Sequence, residues 1–380
     1  MMTKKMRILV VLIACLIVGA GILAILLETA EEPRPQQTET DLFKHPVYSK
    51  YDFSPADGVV RIGIQPFWVF EANMAEAMRR DRLLRQDLAR LGMRAEFFSF
   101  WKGVDVTFFM AKGMLDAGMS GFPPALMMTA SHEIFIPALV DQSFDDLVAL
   151  DCLTIHDLKG KSIGFPFGSD AHFMLAEALD AAGVKARLVP MDADEMIAGM
   201  KDGRISACAV WEPVTSTILS MNPDARVIHR SRWISFILFT NDFAKKHPEA
   251  VLCILAAQVR AIRWINADRE NLVRSSQWAI EACKQLSPQA PALSIEDFAK
   301  QAGKVARLSM TPIISEEDLV DGGFLPRAFA FLKREGQIPA DAKWEKTRQM
   351  FNTRLIGTVL KEPGKFHLNQ FDYDTGENPS

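Results

Sequence analysis

The feature that most constrains the fold is a pattern of short apolar segments alternating with helical ones, and it occurs twice along the chain. The first round predicts strands at 59–64, 94–100 and 115–119, with helices at 71–91, 105–112 and from 125. The second round predicts strands at 162–165, 186–189 and 207–210, with helices at 171–182 and 193–201. Such alternation is typical of parallel sheets covered by helices on both faces. Two rounds predict two α/β lobes, with a cleft where the carboxyl ends of their strands face each other.

The rest of the chain is predicted to be mainly helical. A strand-like run at 234–239 precedes an Ala-rich region that has helical spacing to about residue 335. Trp264 and Trp278 lie in this region and are predicted to be core residues. The last fifteen or so residues, ending in YDTGENPS, predict a floppy tail.

The N-terminal segment predicts the compartment. A leader with Lys4, Lys5 and Arg7 precedes an uncharged apolar run from Ile8 to Leu27. About 20 helical residues span about 30 Å, the thickness of a bilayer core, and the leading positive charges favour a cytoplasmic N-terminus. We predict a signal anchor, a transmembrane helix, over residues 1–27; a cleaved signal peptide and a lipoprotein anchored at Cys15 are the alternatives. All three place the body at the outer face of the cytoplasmic membrane.

Residues 28–57 are predicted to form a linker. The stretch ETAEEPRPQQTETD is acidic, contains proline and has few apolar residues. Such a composition cannot bury a core, so the segment spaces the globular body from the membrane.

Charge and cysteine content exclude several classes of protein. The formal net charge is −4 at pH 7, and it is more negative without the basic leader. Sequence-independent nucleic-acid binding needs a basic face, so no nucleic-acid partner is predicted. The five cysteines lack CxxC spacing, which excludes a zinc ribbon and a thioredoxin motif. The seven histidines lack metal-ligand spacing, so neither a metal nor a cofactor is predicted.

Several motifs in a fixed order resemble the solute-binding proteins of ABC importers for nitrate, aliphatic sulfonates, taurine and bicarbonate. LKGKSIGFPFGSDAHFMLAEALDAAGV at 158–184 is similar to the DLKGK element and the V-x-x-G-S/T-x-A-H stretch of that family. MKDGRISACAVWEPV at 200–214 is similar to its A-x-x-x-G-x-V/I-D-A and W-x-P motifs. IGIQPFW at 62–68 resembles its first strand and loop, and GMLDAGMSGFPP at 113–124 resembles its G-x-x-D-x-x-x-x-G-x-P motif. The resemblance runs from about residue 59 to 330.

The resemblance implies an α/β fold of the type II periplasmic-binding-protein class, with two hinged lobes, a ligand cleft between them and, here, a preceding N-terminal membrane helix. Lobe 1 is predicted at 58–147 and 240–335, lobe 2 at 148–239, and a C-terminal extension and tail at 336–380. The hinge is predicted near 145–150 and 235–242.

The same resemblance implies a function. Its members are periplasmic solute-binding components of ABC importers, which deliver ligand to a permease and its ATPase. The predicted ligand is a small anionic or zwitterionic organic solute, such as a sulfonate, taurine or nitrate. The predicted body is monomeric, and its anchor fits a binding protein that is tethered beside its transporter.

The helix that begins near Ala171 offers a place for an anionic head group. Gly168 and Ser169 precede this helix, and a helix start presents unsatisfied N–H groups and a partial positive charge. The alternative is that Ser169 or Asp170 is only an N-cap. Asp170 departs from the neutral small residue of many relatives, so it faces away or the ligand carries an amine or another cationic part. His172 packs in the first turn or, when protonated, helps to hold an anion.

The remaining candidates end predicted strands, where the cleft should lie: Gln65, Phe67, Trp68, Ser120, Gly121, Phe122, Trp211 and Glu212. Gln65 offers a donor and an acceptor, and Trp68 offers an apolar wall or is a core residue. Gly121 lets a ligand approach the backbone. Glu212 accepts from a ligand amine or pairs with an arginine. Trp233 and its neighbour Arg232 could also reach the cleft. The aromatic candidates favour an organic ligand over bare nitrate.

Catalysis has little support in the sequence. HExxH, GxSxG and a P-loop are all missing, so the protein is predicted not to be an enzyme. One alternative is a membrane-tethered ligand sensor that reports to a kinase or chemoreceptor. Another is an enzyme resembling the thiamine-pyrimidine synthases, but the cysteine-rich stretch of those relatives is lacking here.

Overall fold

The computed structural model describes residues 42–54, 56–287 and 293–376. The predicted membrane segment and half of the predicted linker lie outside the described residues. The chain divides into two compact units, one ending at Lys50 and one beginning at Tyr51. In the first unit the described residues form a 3₁₀ turn at Tyr48–Lys50. The fold below is that of the second unit.

A single mixed sheet forms the centre of the second unit. Its strands are β1 (Val59–Ile64), β2 (Arg94–Ser99), β3 (Ala117–Gly121), β4 (Ile134–Leu150), β5 (Ser162–Phe165), β6 (Arg187–Pro190), β7 (Ala207–Val210) and β8 (Ala225–Thr240). Their spatial order is β2-β1-β3-β8-β4-β7-β5-β6. Pairing is parallel within β2-β1-β3 and within β7-β5-β6. The predicted parallel groups are therefore present, one in each lobe.

The long strands β4 and β8 join the two groups as an antiparallel ribbon. β8 pairs with β3 of lobe 1, β4 pairs with β7 of lobe 2, and the two long strands pair with each other. Their register shifts between Phe135 and Ala138, between Leu139 and Gln142, and between Leu147 and Val148. Such irregularities bend a ribbon. The predicted hinge segments lie on or beside this ribbon. The sequence had predicted no strand at 134–150, and that omission was wrong.

Helices cover both faces of the sheet. They are α1 (Val69–Arg80), α2 (Arg82–Arg90), α3 (Gly103–Ala111), α4 (Phe122–Ser131), α5 (Asp170–Ala182), α6 (Ala193–Lys201), α7 (Val214–Met221), α8 (Asn241–Lys246), α9 (Pro248–Ala267), α10 (Arg269–Leu286), α11 (Ile295–Leu308), α12 (Phe324–Arg334), α13 (Trp344–Arg348) and α14 (Leu355–Lys361). Short 3₁₀ turns occur at Ile155–Leu158 and Glu316–Asp318.

The predicted helix at 71–91 is two helices, so that prediction was wrong at its centre. Asp81 separates α1 from α2, and its extended backbone ends the first helix. Its Oδ1 accepts the N–H groups of Leu83 and Leu84 at 2.9 and 3.1 Å. A carboxylate in this position caps the new helix, so it favours a restart over a continuous helix.

Helix α9 lies in the core of lobe 1. Among the described residues it is the helix that is long and apolar enough to cross a membrane, but most of it is buried within the fold. Its Trp264 ring stacks on Trp278 of α10, with centroids 5.5 Å apart. Both side chains are buried, as predicted for core residues.

The C-terminal segment packs against lobe 1 as far as residue 376, so the predicted floppy tail was wrong for these residues. Leu368 and Tyr373 are buried. Arg82 N–H donates to the Asp372 carbonyl at 2.8 Å, and Asp374 N–H donates to the Arg80 carbonyl at 2.9 Å. The polar composition of this segment gave no sign of its backbone hydrogen bonds or of the buried Leu368 and Tyr373 side chains.

A buried ion pair ties this segment to the core. Arg260 on α9 donates Nε to Asp81 Oδ2 at 2.8 Å and Nη1 to the Phe366 carbonyl at 2.9 Å. Both charged side chains are almost fully buried. One arginine therefore joins α9, the α1–α2 break and the C-terminal segment.

We expect Asp81→Ala to lower the free energy of unfolding by about 3–5 kcal/mol, because it leaves the Arg260 charge buried without its partner. Urea denaturation of the purified chain measures the change. Asp372→Ala is the matched control, since its partner Arg82 is exposed, and it should cost less than about 1 kcal/mol. Equal effects of the two variants would contradict this account.

Candidate functional site

The predicted site residues lie in four loops at the junction of the two lobes. Lobe 1 contributes the loop after β1 and the β3–α4 turn, and lobe 2 contributes the β5–α5 and β7–α7 loops. All twelve side chains or glycine positions are buried except that of Glu212, which is half-buried. The structure thus brings the predicted residues together, although none of them touches bulk solvent freely.

Direct contacts join the lobes across this junction. The Trp211 indole N–H donates to the Phe67 carbonyl at 2.9 Å. Val69 N–H donates to the Glu212 carbonyl at 3.1 Å. The Trp68 and Trp211 rings stack with centroids 5.3 Å apart. The loop after β1 and the loop after β7 are therefore held face to face.

Further contacts extend this closure. Phe122 of lobe 1 meets Phe173 on α5 edge to face, with centroids 5.1 Å apart. Lys102 Nζ lies 2.7 Å from Asp192 Oδ1 of lobe 2, and the lysine side chain is buried. The sequence does not reveal this ion pair, because Lys102 and Asp192 lie far apart in the chain and neither is part of a motif.

Trp233 reaches the junction, whereas Arg232 does not. The Trp233 ring meets Trp68 edge to face at 4.1 Å between centroids. Arg232 donates to both carboxylate oxygens of Asp318 at 3.1 Å. Alternation along β8 explains the difference, because neighbouring side chains point to opposite faces of a strand.

The start of α5 is filled by its own side chains. Ser169 is the N-cap, and its Oγ accepts from His172 N–H at 3.2 Å and donates to the Pro166 carbonyl at 2.7 Å. Gly168 N–H donates to His172 Nδ1 at 3.3 Å. The Asp170 carboxylate accepts its own backbone N–H. The N–H groups of Gly168, Asp170 and His172, which an anionic head group would need, are therefore already engaged.

Gly121 and Asp170 meet across the junction. A Cβ atom added to Gly121 would lie 2.5 Å from Asp170 Oδ1 and 3.2 Å from Trp68 Cη2. Real Cβ atoms do not approach other atoms this closely, so the position requires a residue without a side chain. Gly121 thus allows a lobe 2 carboxylate to rest on the lobe 1 backbone, where ligand access had been predicted.

Four buried carboxyl groups lie around this contact, on Glu71, Asp141, Asp145 and Asp170, and each is at most 1% exposed. The Ser235 hydroxyl donates to Asp141 Oδ1. Gln65 donates its backbone N–H and its Nε2 to Glu71, at 2.7 and 3.1 Å. We call these four residues the acid cluster. Of these four residues, only Asp170 was predicted from the sequence. Asp141 and Asp145 could have been found from the alternation of Asp141, Ser143 and Asp145 in an apolar stretch.

Burial keeps protons on the acid cluster. Burial raises the pKa of Asp141 to about 8. Burial, and then the charges of Asp141 and Asp170, raise the pKa of Glu71. Burial also raises the pKa of both Asp145 and Asp170, which are close enough to share a proton. Two ionised carboxylates have no donor for each other, whereas one proton between them makes a hydrogen bond.

Other polar atoms of the junction have no hydrogen-bond partner among the described residues. They are Gln65 Oε1, Ser120 Oγ, Trp68 Nε1 and Trp233 Nε1, together with Asp141 Oδ2, Asp145 Oδ1 and Asp170 Oδ2. Buried polar groups are normally paired, so this concentration indicates a place where a ligand or water would supply the missing partners.

Glu212, two residues before α7, bonds the first turn of that helix. Its carboxylate accepts the Ser216 N–H at 3.1 Å and the Ser216 hydroxyl at 2.9 Å, which caps the start of α7. Burial raises the pKa of this carboxyl group. The partner of Glu212 in the structure is therefore Ser216, whereas the sequence predicted a ligand amine or an arginine.

Comparison with known proteins supports the same class of fold. Residues 103–280 match the model of the NMT1-like family. A protein named as a binding protein in Brucella abortus (strain 2308) is 29% identical over 196 residues, which are 48% of this chain and 60% of that protein. An Escherichia coli (strain K12) protein named for binding aliphatic sulfonates is 30% identical over 177 residues, 42% of this chain and 54% of that protein. The chain thus spans less than two thirds of these relatives.

Solved structures match over more of the chain. The periplasmic aliphatic sulphonate binding protein of Escherichia coli superposes with a TM-score of 0.61 at 18% identity, covering 80% of this chain and 100% of that one. The periplasmic nitrate-binding protein of Synechocystis PCC 6803 gives 0.56 at 14% identity, covering 82% and 91%. The predicted resemblance and the predicted two-lobed fold are confirmed.

We expect the free energy of unfolding to fall as pH rises from about 4 to about 8. The folded chain keeps a proton on Asp141, whose pKa is about 8, and the unfolded chain releases that proton near pH 4. Asp141→Asn should reduce this fall in the free energy of unfolding by up to about 1.4 kcal/mol for each unit by which folding raises the pKa of Asp141. Urea denaturation at a series of pH values measures it. The mostly exposed Asp180→Asn serves as control, and an unchanged slope in Asp141→Asn would contradict the assignment.

Gly121→Ala should destabilise the protein by about 1–3 kcal/mol, because its Cβ would displace the Asp170 carboxylate and part the lobes. Urea denaturation gives the energy, and small-angle X-ray scattering shows whether the molecule expands. Gly357→Ala on α14 is the control, since its Cβ meets nothing within 4 Å and alanine favours a helix. A variant as stable and compact as the wild type would show that Asp170 does not rest on Gly121 in solution.

Proposed function

We propose that the chain is the extracytoplasmic solute-binding component of an ABC importer. It captures a small organic solute between two hinged lobes and delivers it to a permease and its ATPase. The observation that carries the proposal is the polar junction, where buried side chains of both lobes lack partners on a fold shared with sulfonate- and nitrate-binding proteins. The Escherichia coli relative supports the same role, because it is named for binding aliphatic sulfonates.

The ribbon and the junction support a closing mechanism. Two long strands connect the lobes, and the loops after β1 and β7 meet through two hydrogen bonds and one ring stack. A solute that contacts both lobes has more partners in the closed form than in the open form. It therefore shifts the population towards closure, and the transporter reads that shift.

The proposed division has lobe 1 at 58–147 and 240–335 and lobe 2 at 148–239. The proposed body is monomeric and periplasmic, held at the outer face of the cytoplasmic membrane through residues 1–27. The proposed ligand contacts come from the twelve predicted residues and from Trp233, which packs on Trp68.

A binding role without catalysis is part of the proposal. Burial raises the pKa values of the Cys208 and Cys283 thiols, and that of Cys253 to about 11, so these thiols are protonated and weakly nucleophilic at neutral pH. Among the described residues no group of histidine, cysteine and acidic side chains is arranged to hold a metal ion.

A thermal-shift screen of the detergent-solubilised chain tests the proposal. The panel holds taurine, alkanesulfonates, nitrate, bicarbonate, amino acids and amines. A ligand at a hundredfold excess over its Kd should stabilise the native state by about 2.7 kcal/mol. Trp68→Leu should abolish the shift because it removes the ring that joins Trp211 and Trp233.

Trp344→Leu is the matched control, since Trp344 packs on Phe329 and Phe351 in the C-terminal part of the fold, and it should keep the shift. Either of two results would overturn the proposal: no shift from any compound, or a shift that survives in Trp68→Leu.

A further inference from the structure

The start of α5 carries an acidic side chain, whereas a site for an anion would need a positive charge or free N–H groups there. A helix start attracts a negative group, and the sequence places Asp170 as the first residue of that helix. Its carboxylate takes the backbone N–H, and Ser169 takes the N–H of His172. An anionic solute would have to displace both groups and would lie against a carboxylate in a dry environment.

The surroundings of Asp170 are also acidic. The charges that act on the acid cluster come from its own members and from Asp146. Arg230 on β8 binds Asp146, with Nε 2.6 Å from Oδ1. His172 uses Nδ1 to accept the Gly168 N–H. Among the described residues, the groups named as shifting the pKa values of Asp141, Asp145 and Asp170 include no cation.

A second observation points to a bound group. Gln65 contacts the acid cluster through Glu71, is 1% exposed, and leaves Oε1 without a partner. Ser120 Oγ, also unpartnered, lies beside it, since both atoms are within 3.2 Å of the point where a Gly103 Cβ would stand. Asp141, Asp145 and Asp170 each leave one further oxygen unpartnered. Once the carboxyl groups are ionised, these acceptors outnumber the unpartnered indole donors of Trp68 and Trp233, and their complement is a group rich in N–H donors.

We propose that the junction binds a protonated nitrogen, the ammonium or amidinium group of a small organic solute, between the Asp170, Asp145 and Asp141 carboxylates. This inference rests on the proposed function, because it names the chemical class of the solute. The buried indole N–H groups of Trp68 and Trp233 can bond an acceptor elsewhere on the same solute, so zwitterions fit. Solutes that carry only a sulfonate or nitrate do not.

The pH dependence of the affinity distinguishes a bound cation from a bound anion. Bound ammonium favours ionised carboxylates, so it expels protons that the empty cluster holds at neutral pH, and affinity rises with pH. A bound anion favours protonated carboxylates, so affinity falls with pH. With the pKa of Asp141 at about 8, an ammonium should gain up to about tenfold in affinity per pH unit between pH 6 and 8.

Calorimetric titration of the detergent-solubilised chain tests this with compounds matched in carbon skeleton. The probes are butylammonium and butanesulfonate, putrescine, butyramidinium, taurine, nitrate and Ca²⁺, each at pH 6, 7 and 8. We expect binding by probes that carry ammonium or amidinium, with affinity that rises with pH. Asp170→Asn and Asp145→Asn should each weaken it at least tenfold. Asp180→Asn, at the other end of α5, should leave it unchanged.

The outcomes separate this inference from the proposed function. Binding of butanesulfonate or nitrate, with an affinity that falls as pH rises, would overturn the proposed cation binding but would leave the proposed solute-binding function standing. Binding of Ca²⁺ alone also overturns it, as does amine binding that survives both Asp→Asn variants. Binding by no probe overturns the inference, and the function fails with it only when the wider thermal-shift panel is silent as well.

Discussion

The burial of several carboxyl groups in one junction is the constraint on which the rest of the site depends. An isolated ionised carboxylate in a dry interior costs several kcal/mol. The fold meets this cost with donors from Ser235 and Gln65 and with protons retained on Asp141 and on the Asp145–Asp170 pair. The charge state of the junction, and not its shape alone, therefore decides what can bind there.

Apart from the β4–β8 ribbon, side-chain and loop contacts join the two lobes. These contacts include two hydrogen bonds between loops, a few ring contacts and the ion pairs Lys102–Asp192 and Arg334–Asp180. A typical hydrogen bond contributes only about 1 kcal/mol net. In the proposed function, a solute with a few additional contacts to both lobes would shift the equilibrium towards the closed arrangement.

The sequence predicted the parts of this fold that depend on local periodicity. The strand–helix rounds are found because each strand is followed by its own covering helix, and the predicted site residues meet because they end such strands. The ribbon strand β4 was missed, since IFIPALVDQSFDDLVAL is buried on both faces for much of its length and shows no clean alternation. The C-terminal packing was missed because a few anchors, Leu368 and Tyr373, hold a polar segment.

Burial is also why the acid cluster could not be predicted in full. Glu71 looks like an ordinary surface acid in the sequence, and only the tertiary structure brings it beside Asp141 and Asp170. Asp170 itself was visible, because many members of the family that the sequence resembles have a neutral small residue at that position. The Asp170 carboxylate fills the helix start from within, since it accepts its own backbone N–H. On the cation proposal, one fold would present an anion site or a cation site according to the side chain at the first turn of one helix.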